Sequence, residues 1–275
     1  MDFYIAFLAN LRYNKEKGGE RMGNCLHNDR FAFEYLESYV DNTVLWEQHC
    51  HALYELITVL EGEITIAVEG RLYHLRLDQT IIIPPLCYHT VETNRKCLYR
   101  RVTVMFDRSA IPEVLRGHFP ENHMEIPVFY CHSLSGLREI CLSEQPAFYE
   151  PLAESLMIRA FYDSIQGEHI SHSDEVDKWL EKLISYIDEH LCEKILLSDL
   201  AACIPQSKSS VCHIFQRKMN ISPKQYILQK RMALANKLIR DGMSVTAAAK
   251  RVGYENYSNF YRMYRKHFGT VDSDR

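Results

Sequence analysis

The stretch SVTAAAKRVGYENYSNFYRMYRKHF, residues 244–268, decides the fold of the C-terminal region. Ser244 predicts the N-cap of a helix over residues 245–252, because its hydroxyl can accept a hydrogen bond from an amide of the first turn. Gly253 predicts the turn that follows. A second helix is predicted over residues 257–267, since its apolar and aromatic side chains recur at core spacing. These side chains are Phe260, Tyr264 and Phe268. A short helix, a turn and a longer basic helix form a helix-turn-helix motif, in which the first helix braces the second in the major groove of DNA.

The same order of elements occurs once earlier in the chain. Ser198 predicts the N-cap of a short helix over residues 199–203, which ends near Pro205. Ser207 predicts the N-cap of a longer helix over residues 208–219, whose inner face is apolar. Its inner residues are Val211, Ile214 and Phe215. The pattern therefore predicts a second helix-turn-helix motif.

A long helix joins the two motifs. Ser222-Pro223 places a capping residue before a proline at the first helical position, and Gly242 suits the residue that follows the helix end. An amphipathic helix is predicted over residues 176–190. Residues 175–275 are thus predicted to be an all-α module with two helix-turn-helix motifs.

Charge is distributed unevenly along the chain. The 275 residues include 32 Lys plus Arg and 36 Asp plus Glu, for a formal net charge of −4. Charged residues make up 25% and hydrophobic residues 47%, which excludes a disordered acidic chain and a coiled-coil rod. Residues 1–174 carry a net charge of −10 and residues 175–275 a net charge of +6. Residues 200–271 hold 13 basic and two acidic residues. The asymmetry favours a nucleic-acid-binding module joined to a different domain, although a solvated basic face would have the same composition.

The C-terminal region resembles the AraC/XylS-type transcription regulators over residues 176–270. The positions that carry the resemblance are Leu200-Ala201, Ser207-x-Ser209-x-Val211-x-x-x-Phe215, Ile221-Ser222-Pro223-x-x-Tyr226, Arg231-Met232-x-x-Ala235-x-x-Leu238 and Ala249-x-x-Val252-Gly253-Tyr254-x-x-x-Ser258-x-Phe260-x-Arg262-x-Tyr264-Arg265-Lys266-x-Phe268-Gly269. Pro205 replaces the family's usual Gly, Ala248 replaces a larger aliphatic residue, and the usual Thr/Ser-Pro ending after Gly269 is absent. The resemblance implies a homodimer that binds double-stranded DNA and activates transcription by contact with RNA polymerase. Repression stays open.

The resemblance also implies which residues face DNA. The outward face of the first recognition helix is Ser209, Cys212, His213 and Gln216. The outward face of the second is Tyr257, Ser258, Asn259 and Arg262. Arg262 can donate two hydrogen bonds to a guanine edge and Asn259 can pair with adenine, so we expect the second helix to set more of the sequence specificity. Basic residues assigned to phosphates or to solvent are Arg217, Lys218, Lys250, Arg251, Arg265 and Lys266.

The N-terminal half has the period-2 pattern of β-strands between residues 43 and 106. Residues 64–68 and 71–77 alternate, and Gly62 and Gly70 suit hairpin turns. Several short strands at this spacing predict a β-sandwich or barrel.

A histidine cluster lies on this strand pattern. His49 and His51 point to the same face of a strand, Glu55 follows, and His89 comes five residues after Pro84. This spacing resembles the two motifs of cupin barrels, which implies that His49, His51, Glu55 and His89 ligate one divalent ion such as Fe, Mn, Ni, Cu or Zn. The motifs are incomplete, since non-matching residues stand at the expected Gly and Asn positions: Thr43, Asp78, Leu86 and Thr93. A metal-free pocket, in which the same groups bond a ligand or one another, stays open.

A cupin-like sensor in front of the C-terminal module is a frequent arrangement in the AraC/XylS type. The resemblance therefore implies a small-molecule effector inside the barrel. Its polar contacts would be His49, His51, Glu55, Tyr88 and His89. Arg100 and Arg101 are further candidates, but of two adjacent strand residues one must face outward.

The chain is predicted to contain four segments. Residues 1–28 are an N-terminal extension, 29–110 the cupin-like barrel, 111–174 a connector and 175–275 the double helix-turn-helix module. The connector includes a helix after Pro151, which either packs on the barrel or pairs with a second subunit. Residues 17–21 can be encoded by a purine-rich ribosome-binding sequence, so Met22 is an alternative start of translation.

Together these patterns predict a cytoplasmic, DNA-binding transcription regulator that has no catalytic residues and no membrane partner. Nine cysteines without a CxxC pair indicate reduced thiols, and the first apolar run is too short to span a membrane. The alternative from another class is a metal-dependent cupin enzyme, an oxygenase or isomerase, that uses His49, His51, Glu55 and His89. A thiol sensor at Cys50 or Cys87 is a third reading.

Overall fold

The computed structural model describes residues 21–27, 30–40, 44–45, 48–93, 97–167, 169–170, 177–254 and 256–268. The chain divides into two compact units. The first comprises residues 1–48, 53–68 and 72–173. The second comprises residues 174–275 together with two short segments, 49–52 and 69–71. The main division falls where the charge changes sign.

The N-terminal half folds as two antiparallel sheets. The strands are β1 (Arg21–His27), β2 (Phe31–Val40), β3 (Val44–Leu45), β4 (Tyr54–Glu61), β5 (Ile64–Val68), β6 (Arg71–Leu75), β7 (Gln79–Ile83), β8 (His89–Thr93), β9 (Cys97–Phe106) and β10 (Val128–Tyr130). One sheet has the order β1-β2-β9-β4-β7-β10 and the other the order β3-β8-β5-β6. The first sheet thus begins at β1, inside the stretch that the sequence assigned to an N-terminal extension. Residues 1–20 lie outside the described part of the chain.

The two sheets share one apolar core. Apolar side chains of β4, β5, β7 and β8 fill the space between the sheets. Fully buried members from the two sheets include Ile57, Val59, Ile66 and Ile81. The predicted cupin-like fold is therefore confirmed, but the described strands form two facing sheets instead of one closed barrel.

The predicted helix after Pro151 packs on the outer face of the larger sheet. This helix, α2 (Glu150–Gln166), follows a shorter one, α1 (Gly136–Leu142). Phe161 of α2 is fully buried, and its ring centroid lies 5.0 Å from that of Phe106 and 5.2 Å from that of Phe119. The opposite face of α2 carries exposed large side chains: Leu152, Ile158 and Tyr162.

The C-terminal module is helical, as predicted. Its helices are α3 (Lys178–Glu189), α4 (Leu197–Cys203), α5 (Lys208–Met219), α6 (Pro223–Arg240), α7 (Val245–Arg251) and α8 (Tyr257–Phe268). Ser207, Ser222 and Ser244 accept hydrogen bonds from backbone amides of α5, α6 and α7, so these predicted N-caps are confirmed. Among the described helices, none combines the length and apolar composition that a membrane span requires.

One predicted cap is wrong. Helix α4 begins at Leu197, so Ser198 lies inside its first turn and is not its N-cap. Asp199 supplies the reason, because its Oδ2 accepts a hydrogen bond of 2.8 Å from the backbone amide of Leu196. A carboxylate that reaches back in this way satisfies an otherwise unpaired amide and extends the helix toward the N-terminus.

Candidate functional site

Each helix-turn-helix motif buries one face of its second helix and exposes the other. In α5, Val211 and Phe215 are fully buried, and in α8 Phe260 is fully buried. All the residues that the sequence assigned to base edges are exposed on the opposite faces: Ser209, Cys212, His213, Gln216, Tyr257, Ser258, Asn259 and Arg262. The residues assigned to phosphates are also exposed: Arg217, Lys218, Lys250, Arg251, Arg265 and Lys266. The placement of these side chains at the surface thus agrees with the sequence.

The outward face of α8 forms a basic, aromatic groove. The groove encloses about 490 Å³ and is lined by Tyr257, Ser258, Tyr261, Arg262, Arg265 and Lys266. The rings of Tyr257 and Tyr261 stack with centroids 5.9 Å apart, and the Arg265 guanidinium lies 6.0 Å from the Tyr261 centroid. These contacts pack aromatic and basic side chains against one another on this helix face.

Asn259 contacts Arg262 directly. Arg262 Nη2 donates a hydrogen bond of 2.8 Å to Asn259 Oδ1. The amide oxygen therefore orients the guanidinium, a role that the sequence did not suggest for Asn259. On α5, Gln216 likewise donates a bond of 3.1 Å to Asn220.

Several basic residues of the module are structural. Lys230 is only 1% exposed and pairs with two carboxylates. Arg231 donates to the carbonyl oxygens of Leu191 and Glu193, and burial lowers its pKa. Lys237 pairs with Asp241 four residues later on. The composition of residues 200–271 therefore overstates the charge that is available to DNA.

The structure brings together all four predicted metal-ligating residues. One ligand atom from each of His49, His51, Glu55 and His89 lies within 4.8 Å of the other three. Glu55 is the second residue of β4 and His89 the first residue of β8, whereas the two other histidines lie just before β4. His51, Glu55 and His89 are buried, and His49 is half-buried.

A backbone carbonyl orients His89. Its Nδ1 lies 2.9 Å from the carbonyl oxygen of Cys87, which can only accept, so Nδ1 carries the hydrogen. Its Nε2 faces Glu55 Oε2 at 2.9 Å, a hydrogen-bond distance that requires a hydrogen on one of these two atoms. A histidine held through one nitrogen by a carbonyl presents the other nitrogen to a metal or a ligand.

The fifth predicted ligand contact, Tyr88, is buried but is not one of the four clustered residues. Its hydroxyl donates a hydrogen bond of 3.1 Å to Gln48 Oε1. The pocket role of Tyr88 stays a prediction.

Of the two adjacent arginines, Arg101 is the inward one. It is 5% exposed, while Arg100 is bound by Glu37 at 3.0 Å and by Glu61 at 2.5 Å on the opposite face. Burial by itself would lower the pKa of Arg101, but Tyr99, Glu34 and Glu55 outweigh it and raise the pKa. Arg101 therefore stays charged within the fold.

Sequence reasoning missed two polar residues beside Arg101: Tyr99, which is fully buried, and Glu34, which is half-buried. Glu34 Oε2 lies 3.9 Å from an Arg101 nitrogen, and burial raises the pKa of Tyr99. The available signal was the two-residue spacing of Tyr99 and Arg101 on one strand, which places both on the same face.

Two family models match this chain. A model described as an AraC-like ligand binding domain matches residues 30–199, and a helix-turn-helix domain model matches residues 200–271.

Relatives resemble the chain over most of its length. The HTH-type transcriptional regulator YdiP of Escherichia coli is 24% identical over 234 residues, which cover 80% of this chain and 77% of YdiP. The HTH-type transcriptional regulator YobQ of Bacillus subtilis is 27% identical over 230 residues, which cover 82% of this chain and 87% of YobQ. A crystal structure of ToxT from Vibrio cholerae, with an unsaturated fatty acid bound, aligns with 90% of this chain and 95% of that one, at 12% identity and a TM-score of 0.43.

Proposed function

The chain belongs to the AraC family of transcription regulators, and from this premise we propose how its two helix-turn-helix motifs read DNA. Helices α5 and α8 would enter successive major grooves on one face of the duplex, about 34 Å apart. The observation that carries this proposal is the division of each helix: an apolar face fills the core and a polar face is exposed.

We assign sequence readout mainly to α8. Arg262, oriented by Asn259, would bind a guanine edge, and the small residues of α5 would contribute less. Arg217, Lys218, Arg265 and Lys266 would hold phosphates. Selection of bound genomic fragments tests the proposal, because it returns the operator and the genes beside it. Failure to enrich any sequence over random DNA would contradict sequence-specific readout.

For the sensor we propose a polar small-molecule effector. Its contacts would be His49, His51, Glu55, Tyr88 and His89. The effector can control DNA binding only if its affinity differs between two states of the protein. Genes next to the selected fragments would suggest candidate effectors, and thermal shifts of the full chain would test them. A candidate that raises the Tm of the wild type and not of His51→Ala would support the assignment.

A divalent transition metal is the second candidate ligand of this cluster. A metal with bonds of about 2.1 Å holds neighbouring donor atoms about 3.0–4.2 Å apart, so four donors already within 4.8 Å need only small shifts. Three imidazoles and one carboxylate suit Fe, Mn, Ni, Cu or Zn. When bound, such an ion would supply a Lewis-acidic anchor for an oxygen of the effector. This chain's own residues would hold it through His49, His51, Glu55 and His89.

Elemental analysis of protein purified without affinity tag or chelator tests the metal. We expect about one ion per chain in the wild type and a large loss in Glu55→Gln. Glu63→Gln is the matched control, because Glu63 also lies in the β4–β5 region but its side chain is partly exposed. A metal content near zero in the wild type would leave the metal-free pocket.

The remaining proposals concern activity, assembly and compartment. We propose that the chain catalyses no reaction, that it pairs as a homodimer through the exposed face of α2, and that it works in the cytoplasm, where its DNA lies. Contact with RNA polymerase would make it an activator.

Two alternative functions can be compared with this proposal. A protein that holds one metal ion per chain, turns over a substrate and shows no salt-dependent DNA binding would be a cupin enzyme. A thiol sensor at Cys50 is disfavoured, because burial raises the pKa of its thiol far above the ordinary value.

A further inference from the structure

Glu69 lies in the tight turn between β5 and β6, in a segment that belongs to the second compact unit. Its side chain is fully buried and its backbone has φ +50°. That left-handed conformation is comfortable for Gly and Asn but is strained for most residues with a side chain. A glutamate in this strained conformation indicates that contacts of its carboxylate offset the strain.

The carboxylate of Glu69 is bound by two buried groups. Tyr226 donates a hydrogen bond of 2.8 Å to Oε2, and Lys230 Nζ lies 3.1 Å from Oε1. Lys230 Nζ also lies 2.5 Å from Asp188 Oδ1 and 5.0 Å from the ring centroid of Tyr226. Burial, together with Glu69, raises the pKa of Tyr226 well above its ordinary value, so the phenol stays a neutral donor. A buried ammonium needs such partners, because desolvation penalises an isolated charge.

The two residues after Glu69 contact the helices of the same unit. A side-chain carbon on Gly70 would lie 2.5 Å from Leu180 of α3 and 3.3 Å from Met219, the last residue of α5. Only a glycine therefore fits without displacement of Leu180. Arg71 Nη2 lies 2.7 Å from Glu181 Oε1, and both side chains are partly exposed.

We propose that Lys230 and Tyr226 form a carboxylate-binding seat whose ligand is Glu69, and that the occupied seat holds α3, α5 and α6 in the arrangement that binds DNA. This proposal rests on the DNA-binding function. The seated turn touches the C-terminal end of α5, while the outward residues of α5 stay exposed. It therefore positions the first recognition helix and does not block it.

Replacement of Glu69 by glycine in the full chain tests the seat. The variant removes the carboxylate and suits the left-handed backbone, so it leaves an empty seat without added strain. We expect at least about a fivefold loss of affinity for the selected DNA fragment, as for other couplings between sites. Amide exchange should become faster at residues 69–71 and in α6. Millimolar acetate, a free carboxylate, should restore affinity and protection, whereas chloride at equal ionic strength should not.

Two outcomes would overturn the proposal that Glu69 acts as the ligand of Lys230 and Tyr226. One is a Glu69→Gly variant that binds DNA and exchanges its amides like the wild type. The other is a loss that chloride restores as well as acetate. Glu63→Gln, a change in the other hairpin turn, should leave affinity and exchange unchanged.

A charge reversal at the partly exposed end of the turn gives an independent test. Arg71→Glu should weaken DNA binding by repulsion from Glu181, and the double variant Arg71→Glu/Glu181→Arg should restore it. Losses that add in the double variant would contradict the proposal that this turn holds α3 in place. If the wild type itself fails to bind the fragment, the DNA-binding proposal fails, yet amide exchange at residues 69–71 still reports whether the seat exists.

Discussion

Replacement of Arg262 by alanine should relax the sequence specificity of the protein, while Lys266→Ala should weaken binding to all DNA alike. Both side chains are exposed on α8 and both line its groove. They differ in their surroundings, because Asn259 Oδ1 accepts a hydrogen bond from Arg262 and holds its guanidinium in one orientation. An oriented, planar donor pair suits a guanine edge, whereas an ammonium on a flexible chain suits a phosphate.

The expected magnitudes separate the two roles. Loss of a bidentate base contact costs about 1–3 kcal/mol, or about a 5- to 150-fold loss of affinity for the cognate site, and little for random DNA. Loss of one phosphate contact lowers the slope of log K against log salt by about 0.9, so the penalty of the variant changes about 3.5-fold between 50 and 200 mM salt. At the guanine that Arg262 contacts, Asn259→Ala should lose less base discrimination than Arg262→Ala, since it frees the guanidinium without removing it.

Fluorescence anisotropy with the selected fragment and a scrambled duplex, each at several salt concentrations, measures the discrimination between the two duplexes and the salt dependence of binding. Lys194→Ala is the matched control for loss of a basic side chain, because Lys194 is exposed and lies outside both recognition helices. Equal losses of Arg262→Ala on cognate and scrambled DNA would refute base readout by Arg262. If Asn259→Ala discriminates between the two duplexes as well as the wild type does, Asn259 has no role in positioning Arg262.

Three further changes test the fold. Phe161→Ala removes a buried ring that contacts other aromatic rings, and should lower the free energy of unfolding, measured by urea denaturation, by about 3–5 kcal/mol. Phe148 is exposed, so Phe148→Ala should change it little. Equal losses in the two variants would contradict the placement of Phe161 in the core. A hydrogen bond from Arg100 lowers the pKa of Glu37 in the folded protein, so ionised Glu37 stabilises the fold above its unfolded pKa, and this stabilisation is lost as pH falls through its folded pKa. Glu37→Gln should therefore lower the Tm at pH 7 and not in stronger acid. A difference in Tm that does not depend on pH would contradict this. Ser222→Ala should destabilise α6 by about 1 kcal/mol and Ser222→Gly by only a few tenths, as measured by amide exchange of its first turn, and the reverse order would exclude a capping role.

The helices of the C-terminal module could be predicted from local signals because caps, prolines and glycines act within one turn of the chain. Ser207, Ser222 and Ser244 each cap the predicted helix. Asp199 shows the limit of that reasoning, since either Ser198 or a carboxylate that reaches back to Leu196 satisfies the local rule. The folded structure shows that the Asp199 carboxylate accepts this hydrogen bond and that the helix therefore begins before Ser198.

The basic composition of the module was also informative only in part. It correctly separated the two halves of the chain. It did not reveal that Lys230 is buried beside Glu69, because the two residues are 161 positions apart and no local pattern connects them. The side that a charged residue faces depends on contacts that form only when the helices pack.

The sequence by itself determined the family and the two helix-turn-helix motifs, because these depend on spacing along single helices. It also singled out the four clustered residues, through the resemblance of their spacing to the two cupin motifs. The tertiary structure decided which arginine faces inward, that the strands form two facing sheets, that Asn259 accepts a hydrogen bond from Arg262, and that Tyr226 and Lys230 bind the Glu69 carboxylate. These features depend on distances between segments that are remote in sequence. Burial and desolvation, which determine whether a charge needs a partner, exist only once those segments have packed.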